Sequence, residues 1–147
     1  GTVRLSPRRA LYVEGISGGL PININIVPTA SGGLLSYSTQ ASGAVAISQV
    51  VKNTPGQVYS IECFNYSDFP VSVRLHDQGS APLSGDQASI KWRGLVPGNS
   101  GGAGFVVQFS PPRMFVSGIG LRCCSGPGDQ DFGAILSGRL FANIGYF

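Results

Sequence analysis

The only histidine of the chain, His76, is the residue that any Ser-His or Cys-His nucleophilic site would have to use. It stands in the segment PVSVRLHD, where Val71, Val73 and Leu75 alternate with polar residues. Because side chains alternate between the two faces of a strand, His76 falls on the polar face beside Arg74, where we expect it to be solvated. The sequence therefore predicts no catalytic residue, and we do not expect an enzyme.

Two aspartates, Asp129 and Asp131, share the glycine-rich segment SGPGDQDFGA. Glycoside hydrolysis needs carboxylates on either side of the scissile bond, and two acids side by side in one loop do not meet that need. They could bind calcium together with loop carbonyls, although the loop lacks further acidic ligands. The simpler interpretation is a turn in which aspartate side chains accept hydrogen bonds from backbone amides. We predict no metal and no cofactor, and the calcium-binding alternative stays open.

The three cysteines, Cys63, Cys123 and Cys124, are an odd number without regular spacing, which disfavours a disulfide framework. We therefore expect the chain to fold in a reducing cytoplasm. Cys123 and Cys124 are adjacent in a strand-like run, so they should point to opposite faces, with one of them buried. No signal peptide and no run of 18 apolar residues is visible, so we expect no membrane as a partner.

Charged residues make up 12% of the chain, about half the usual proportion, and the net charge is only +3. A surface poor in charge loses little when it is desolvated, which suits it to being covered by neighbouring molecules. An ordinary β-domain with a serine-rich exterior would have the same composition. The basic residues are mostly scattered, and only Arg8 and Arg9 adjoin, so the pattern disfavours nucleic acid as a partner.

The elements that would position these residues are strands. The 22 glycines and 10 prolines interrupt most windows long enough for a helix, whereas period-two alternation recurs along the chain. We predict about eight strands in an all-β fold, an antiparallel β-sandwich or jelly roll. The residues predicted to face the core include Ile22, Ile24, Ile26, Val45, Ile47, Val51, Tyr59, Ile61, Cys63, Val71, Val73, Leu75, Ile90 and Trp92. The segment Asn53-Thr54-Pro55-Gly56 predicts a type II turn.

The first 20 residues differ from the rest because they mix charge, glycine and isolated apolar residues. We therefore predict two parts, an extended N-terminal arm over residues 1–20 and a β-sandwich domain over residues 21–147. Within the arm, residues 11–13 read as a short strand. The only cluster of positive charge also lies there, so we predict that the arm contacts a neighbouring molecule. The residues predicted to make that contact are Arg4, Arg8, Arg9 and Tyr12.

From Val51 onward the order of motifs becomes specific. VKNTPGQVYSIECFNY opens this part, a strand ending in LHD and a loop with SAP follow, and the last third carries MFVSGIG, a Gly-Asp loop and a closing NIGY. This arrangement over residues 51–147 resembles a group of small tailed-bacteriophage virion proteins. The positions that match the pattern are Lys52, Gly56, Tyr59, Asp77, Ala81, Pro82, Phe115, Ser117, Gly118, Ile119, Asn143 and Tyr146. The Cys123-Cys124 pair departs from it, because that group carries β-branched residues there.

The resemblance implies a β-sandwich in the virion, assembled in the host cytoplasm. Members of the group are mostly capsid decoration (cement) proteins, so it implies a structural protein that binds the major capsid protein and copies of itself. The alternative is a tail, collar or fibre module that binds a host surface carbohydrate. Such a module would need exposed aromatic residues, for which Phe64, Tyr66, Phe69 and Trp92 are the candidates, although aromatic residues on strands more often pack in the core.

Overall fold

The computed structural model of the chain describes residues 3–5, 11–13 and 34–147. The described residues form ten strands and one short 3-10 helix, Gln87–Ser89. The strands are β1 (Val3–Leu5), β2 (Leu11–Val13), β3 (Leu35–Gln40), β4 (Ile47–Lys52), β5 (Gly56–Asn65), β6 (Val71–Asp77), β7 (Ile90–Val96), β8 (Ala103–Phe115), β9 (Ile119–Ser125) and β10 (Leu140–Tyr146). The predicted strand at residues 21–28 lies outside the described residues.

Eight of these strands form two packed four-stranded sheets in which every neighbouring pair is antiparallel. The first sheet has the order β3-β10-β5-β8, and the second has the order β4-β9-β6-β7. The chain crosses between the sheets at almost every connection, and only β6 and β7 follow one another within one sheet. This is the strand order of an eight-stranded jelly roll, so the predicted all-β sandwich is confirmed.

The core lies between the two sheets and is apolar. Its fully buried side chains come from the alternate positions that each strand turns inward, as the period-two pattern predicts. Trp92 of the second sheet packs its ring edge-on against Phe105 and Phe109 of the first sheet, with ring centroids 5.7 and 5.8 Å apart. The buried core residues include Ile47, Val51, Val58, Ile61, Cys63, Val71, Val73, Leu75, Val96, Phe115, Ile119, Leu121, Cys123, Ile135, Leu140, Ala142 and Ile144.

Two predictions of inward-facing residues are wrong. In β5 the register shifts between Val58 and Ser60, and this irregularity brings Val58 into the core in place of Tyr59. Val45 lies before β4 in an isolated bridge to Ile135, outside the ladder that turns Ile47 inward, and its side chain is 60% exposed. Period-two alternation predicts burial only where the ladder is regular, and both errors fall where it is interrupted.

The turn before β5 also differs from the prediction. A type II turn would require a positive φ at Gly56, but this residue begins β5 in an extended pairing with Phe115. Glycine is required here by space, because a Cβ atom at this position would lie 2.7 Å from the backbone oxygen of Phe147. The connection between β8 and β9 does need a positive φ, +150° at Gly118, where a Cβ atom would meet the Cα of Gly79 at 2.6 Å.

Candidate interaction surfaces

Half of the predicted contact residues lie in described parts of the chain. Arg4 of β1 and Tyr12 of β2 are directly opposite each other in a two-stranded antiparallel sheet. The strand predicted at residues 11–13 is thereby confirmed. Arg8 and Arg9 fall outside the described residues. The contact of the arm with a neighbouring molecule stays a prediction.

The outer face of the second sheet is buried along β6 and β9, contrary to the prediction of a solvated polar face, whereas Arg93 and Leu95 on the outer face of the edge strand β7 are about half exposed. Arg74 and His76 on β6 and Arg122 on β9 are each 1% exposed or less. The cover is supplied by two loops of the same chain, residues 78–89 and residues 126–131, whose backbone carbonyls accept hydrogen bonds from these side chains. Sequence alternation correctly separates the two faces of β6 but carries no information about loops that fold over one of them.

Arg74 holds the 126–131 loop against this sheet. Its guanidinium donates hydrogen bonds to the backbone carbonyls of Pro127 and Gly128, and its Nη1 also reaches the Sγ of Cys124 at 3.0 Å. Its Nε lies 3.6 Å from the Oδ1 of Asp129. A buried cation is tolerated only when it is paired and hydrogen-bonded, and this loop supplies both kinds of partner.

Arg122 stands directly opposite Arg74 in the β6–β9 ladder, so two buried cations are neighbours. It donates to the carbonyls of Leu83 and Asp129, one in each covering loop, while its Nε has no partner among the described residues. Burial and the nearby Arg74 charge lower the pKa of Arg122. Arg74 and Arg122 therefore hold both loops against the second sheet by hydrogen bonds, and the repulsion between their two positive charges opposes this arrangement.

His76 is fully buried beneath the 78–89 loop. Its Nδ1 lies 3.1 Å from the backbone oxygen of Asp86 and 2.8 Å from the Oγ of Ser89. Burial, with the Arg122 charge as the next cause, lowers the pKa of His76 to about 4. The Nε2 atom has no hydrogen-bond partner among the described residues, so no carboxylate orients this ring. The imidazole is held neutral, and its bonds fix the position of the loop.

The two aspartates of the 126–131 loop have different roles. The Oδ2 of Asp131 accepts a hydrogen bond from the amide of Gly128 at 2.6 Å, which confirms the interpretation as a turn for this residue. Asp129 instead binds Arg93 through both carboxylate oxygens, at 2.8 and 2.6 Å, and the hydrogen bond from Arg93 lowers the pKa of Asp129. Both carboxylates are thus engaged with groups of the chain itself.

The cysteines are more deeply buried than predicted. Cys123 and Cys124 do point to opposite faces, but both are fully buried, because the inner face packs in the core and the outer face lies under the 126–131 loop. Cys63 is also fully buried and reduced, and burial raises the pKa of its thiol to about 12. The thiolate is the nucleophilic form of cysteine, and a buried thiol that stays protonated is a weak nucleophile. Cys63 therefore contributes to core packing.

The outer face of the first sheet, in contrast, is not covered by any other described part of the chain. Three rows of four residues cross its strands, none of them is buried, and Glu62 is the only ionisable residue among the twelve. Val106 and Phe64 are 59% and 38% exposed on this face. We call it the exposed sheet face. Its rows are Gln40, Phe141, Phe64 and Gly104; Ser38, Asn143, Glu62 and Val106; and Ser36, Gly145, Ser60 and Gln108.

The aromatic candidates divide into two groups. Trp92 and Phe69 pack against the core, as expected for aromatic residues on or near strands. Phe64 and Tyr66 are exposed, so these two candidates do not pack in the core. The ring of Tyr66 meets that of Phe141 edge-on at 6.1 Å between centroids. A small aromatic area therefore borders the exposed sheet face at the Tyr66 end.

Residues 3–5, 11–13 and 34–147 contain no helix that is long and apolar enough to cross a membrane. Over the same ranges, no group of three or more His, Cys, Asp or Glu side chains is placed to hold a metal ion. Comparison of the chain with models of known protein families and with curated proteins found no match.

Proposed function

We propose that the protein is a structural virion protein of a tailed bacteriophage, a capsid decoration protein that binds capsid subunits and copies of itself. The observation that carries this proposal is the exposed sheet face, in which eleven of the twelve residues are uncharged. Charged residues are depleted at the centres of protein interfaces, because their desolvation is costly. The jelly-roll strand order adds support, since viral capsid proteins use this architecture.

The area of the exposed sheet face favours a repeated contact of modest strength. Four strands about 4.8 Å apart and three rows about 6.8 Å apart cover roughly 400 Å². A standard interface uses about 800 Å² on each partner. The exposed sheet face alone thus supplies about half of the area that one partner contributes to a standard interface. Such a contact suits a particle on which many copies bind at once and each is reinforced by its neighbours.

A tail, collar or fibre module that binds a host surface carbohydrate is the second candidate. One observation favours it: the exposed ring of Tyr66 borders a cavity of about 120 Å³ that Asp68 and Arg139 also line. An aromatic ring beside hydrogen-bonding side chains is a suitable surface for a sugar. Copy number separates the two candidates. Gel densitometry of purified particles should give hundreds of copies for a decoration protein and at most a few dozen for a tail module.

A substitution on the exposed sheet face tests the role of that face. We expect Val106→Glu to reduce particle occupancy at least about tenfold, because it would place a second carboxylate directly opposite Glu62 and bury two like charges in a closed interface. Val116→Glu is the matched control, since Val116 is also an exposed valine but lies in the turn after β8. Occupancy is measured by sedimentation of particles followed by gel densitometry. Equal occupancy of the two variants would contradict a role for this face in docking.

A further inference from the structure

Strand β8 bulges out of the first sheet over four residues and then pairs with β5 again. Ser60 pairs with Gln108 and Val58 pairs with Arg113, so the single residue Tyr59 stands opposite residues 109–112. Bulges of this kind redirect side chains and are common next to functional sites. Two of the bulged residues are prolines, which lack the backbone N–H that strand addition would require. The bulge therefore offers side chains, and not a strand edge, to a partner.

The bulge forms one wall of a cavity of about 530 Å³. This volume lies within the range of ligand-binding clefts, roughly 300–1,000 Å³. Lys91 of β7, in the second sheet, also lines the cavity. We call this cavity the bulge groove, and its lining residues are Lys91, Gln108, Phe109, Ser110, Pro111, Pro112, Arg113 and Met114.

The charge of the bulge groove is positive and largely uncompensated. Its lining contains two cations, Lys91 and Arg113, and no carboxylate. Lys91 lies 3.8 Å from the Oδ2 of Asp77, a long contact for an ammonium that is itself half exposed. Within the described part of the chain Arg113 makes no ion pair, and its guanidinium lies over the ring of Phe109 at 5.5 Å. Both cations are thus available to an anionic ligand.

The other lining residues favour a peptide over a sugar. A sugar would stack on an open aromatic face, but Phe109 has Arg113 over its ring and Trp92 packed edge-on against it. Pro111 and the exposed Met114 add apolar surface to the lining that contains the two cations. An extended peptide in which carboxylates alternate with apolar side chains would match this combination of positive charge and apolar surface. Arginine and lysine are well suited to bind such carboxylates through charge-assisted hydrogen bonds.

We propose that the bulge groove binds an acidic peptide segment of a partner protein, whose carboxylates contact Lys91 and Arg113. Identifying that partner as a capsid subunit rests on the proposed function, whereas the groove and its charge do not. The N-terminal 33 residues of the chain are a poor occupant by charge, because they contain three arginines and one glutamate. The partner segment comes from another protein.

The isolated, full-length protein can test this site without a virus particle. Trp92 is the only tryptophan of the chain, and it contacts Phe109 in the groove lining, so its fluorescence should report occupancy. The probe is a synthetic peptide with four glutamates alternating with leucine, and its glutamine counterpart is the control peptide. We expect saturable binding of the glutamate peptide that weakens as salt is added, and weaker binding of the glutamine peptide.

Matched charge variants locate the binding site. Arg113→Gln should weaken binding of the glutamate peptide about fivefold, and Lys91→Gln by a similar factor, because each removes one charge-assisted contact from a half-open groove. Arg139→Gln removes the same charge from an exposed arginine that lines a different cavity, so it should change the affinity less than about twofold. Circular dichroism checks that every variant retains the fold.

Two results would overturn the proposal. An equal loss of affinity in Arg113→Gln and Arg139→Gln would mean that only net charge attracts the peptide. Preferential binding of an oligoglucuronate in the groove, with no saturable peptide binding, would replace the peptide with an acidic sugar. Neither result depends on particle occupancy, so failure of this site is distinguishable from failure of the decoration role.

Discussion

Acid should destabilise this protein through one residue, His76. The imidazole is fully buried under the 78–89 loop, and its pKa in the folded protein is about 4 because burial and the Arg122 charge disfavour the protonated form. In the unfolded chain the same group titrates near its ordinary value of about 6.5. As His76 is the only histidine, no other side chain of this type contributes in that interval of pH.

The sign and size of the effect follow from proton linkage. Above pH 6.5 both states hold a neutral imidazole, so His76 adds no pH dependence. Between pH 6.5 and 4 only the unfolded chain binds the proton, so the free energy of unfolding falls as the pH falls. A pKa of about 4 against about 6.5 corresponds to a loss of about 3 kcal/mol. Below pH 4 the folded protein is protonated as well, and this contribution levels off.

Urea unfolding at a series of pH values between 7 and 4 measures this loss. The comparison variant is His76→Asn, whose amide can still donate to the carbonyl of Asp86 but does not titrate. We expect the variant to be less stable at pH 7 and its stability to change little down to pH 4.5. Carboxylates contribute equally to both proteins, so the difference between the two curves isolates the imidazole. Parallel curves would refute the claim that burial of His76 makes folding sensitive to acid.

Three further predictions concern other parts of the fold. Arg74→Met should lower the free energy of unfolding by about 2 kcal/mol in urea titrations, because the hydrogen bonds to the 126–131 loop are lost while repulsion between buried cations is relieved. Unchanged stability would mean that this loop needs no anchor. Gly118→Ala should cost at least about 2 kcal/mol because of its positive φ and crowded Cβ position, whereas Gly85→Ala, with open space, should cost less than about 0.5 kcal/mol. Cys63 should react with thiol reagents only on unfolding, measured by mass spectrometry in increasing urea.

The sequence predicts the inner faces of the sandwich well. In β6 the alternation of Val71, Val73 and Leu75 with polar residues is a direct consequence of the pleat, and these three side chains are fully buried between the sheets. The same rule places Arg74 and His76 on the other face and wrongly predicts that they are solvated. Their cover comes from loops near in space, and no local pattern indicates which face a loop will cover.

Strand β3 is absent from the predicted strands because it is an edge strand. Its sequence LSYSTQ contains only Leu35 and Tyr37 as large apolar residues, and the exposed positions outnumber the partly buried ones. It is placed by pairing with β10, more than 100 residues later in the chain. A pairing at that distance leaves no mark in a local window of sequence. For the same reason, the sequence shows the residues of the bulge groove but not that Lys91 lines the same cavity.

The two sheets of this sandwich are under different constraints in evolution. On the loop-covered sheet, Arg74 and Arg122 hold the fold together, so most substitutions there should reduce the amount of folded protein. On the exposed sheet face, the side chains of Ser38 and Val106 contribute little to the core, and they can change without loss of stability. We therefore expect related proteins to vary most on that side, which would let one scaffold adapt to new partners.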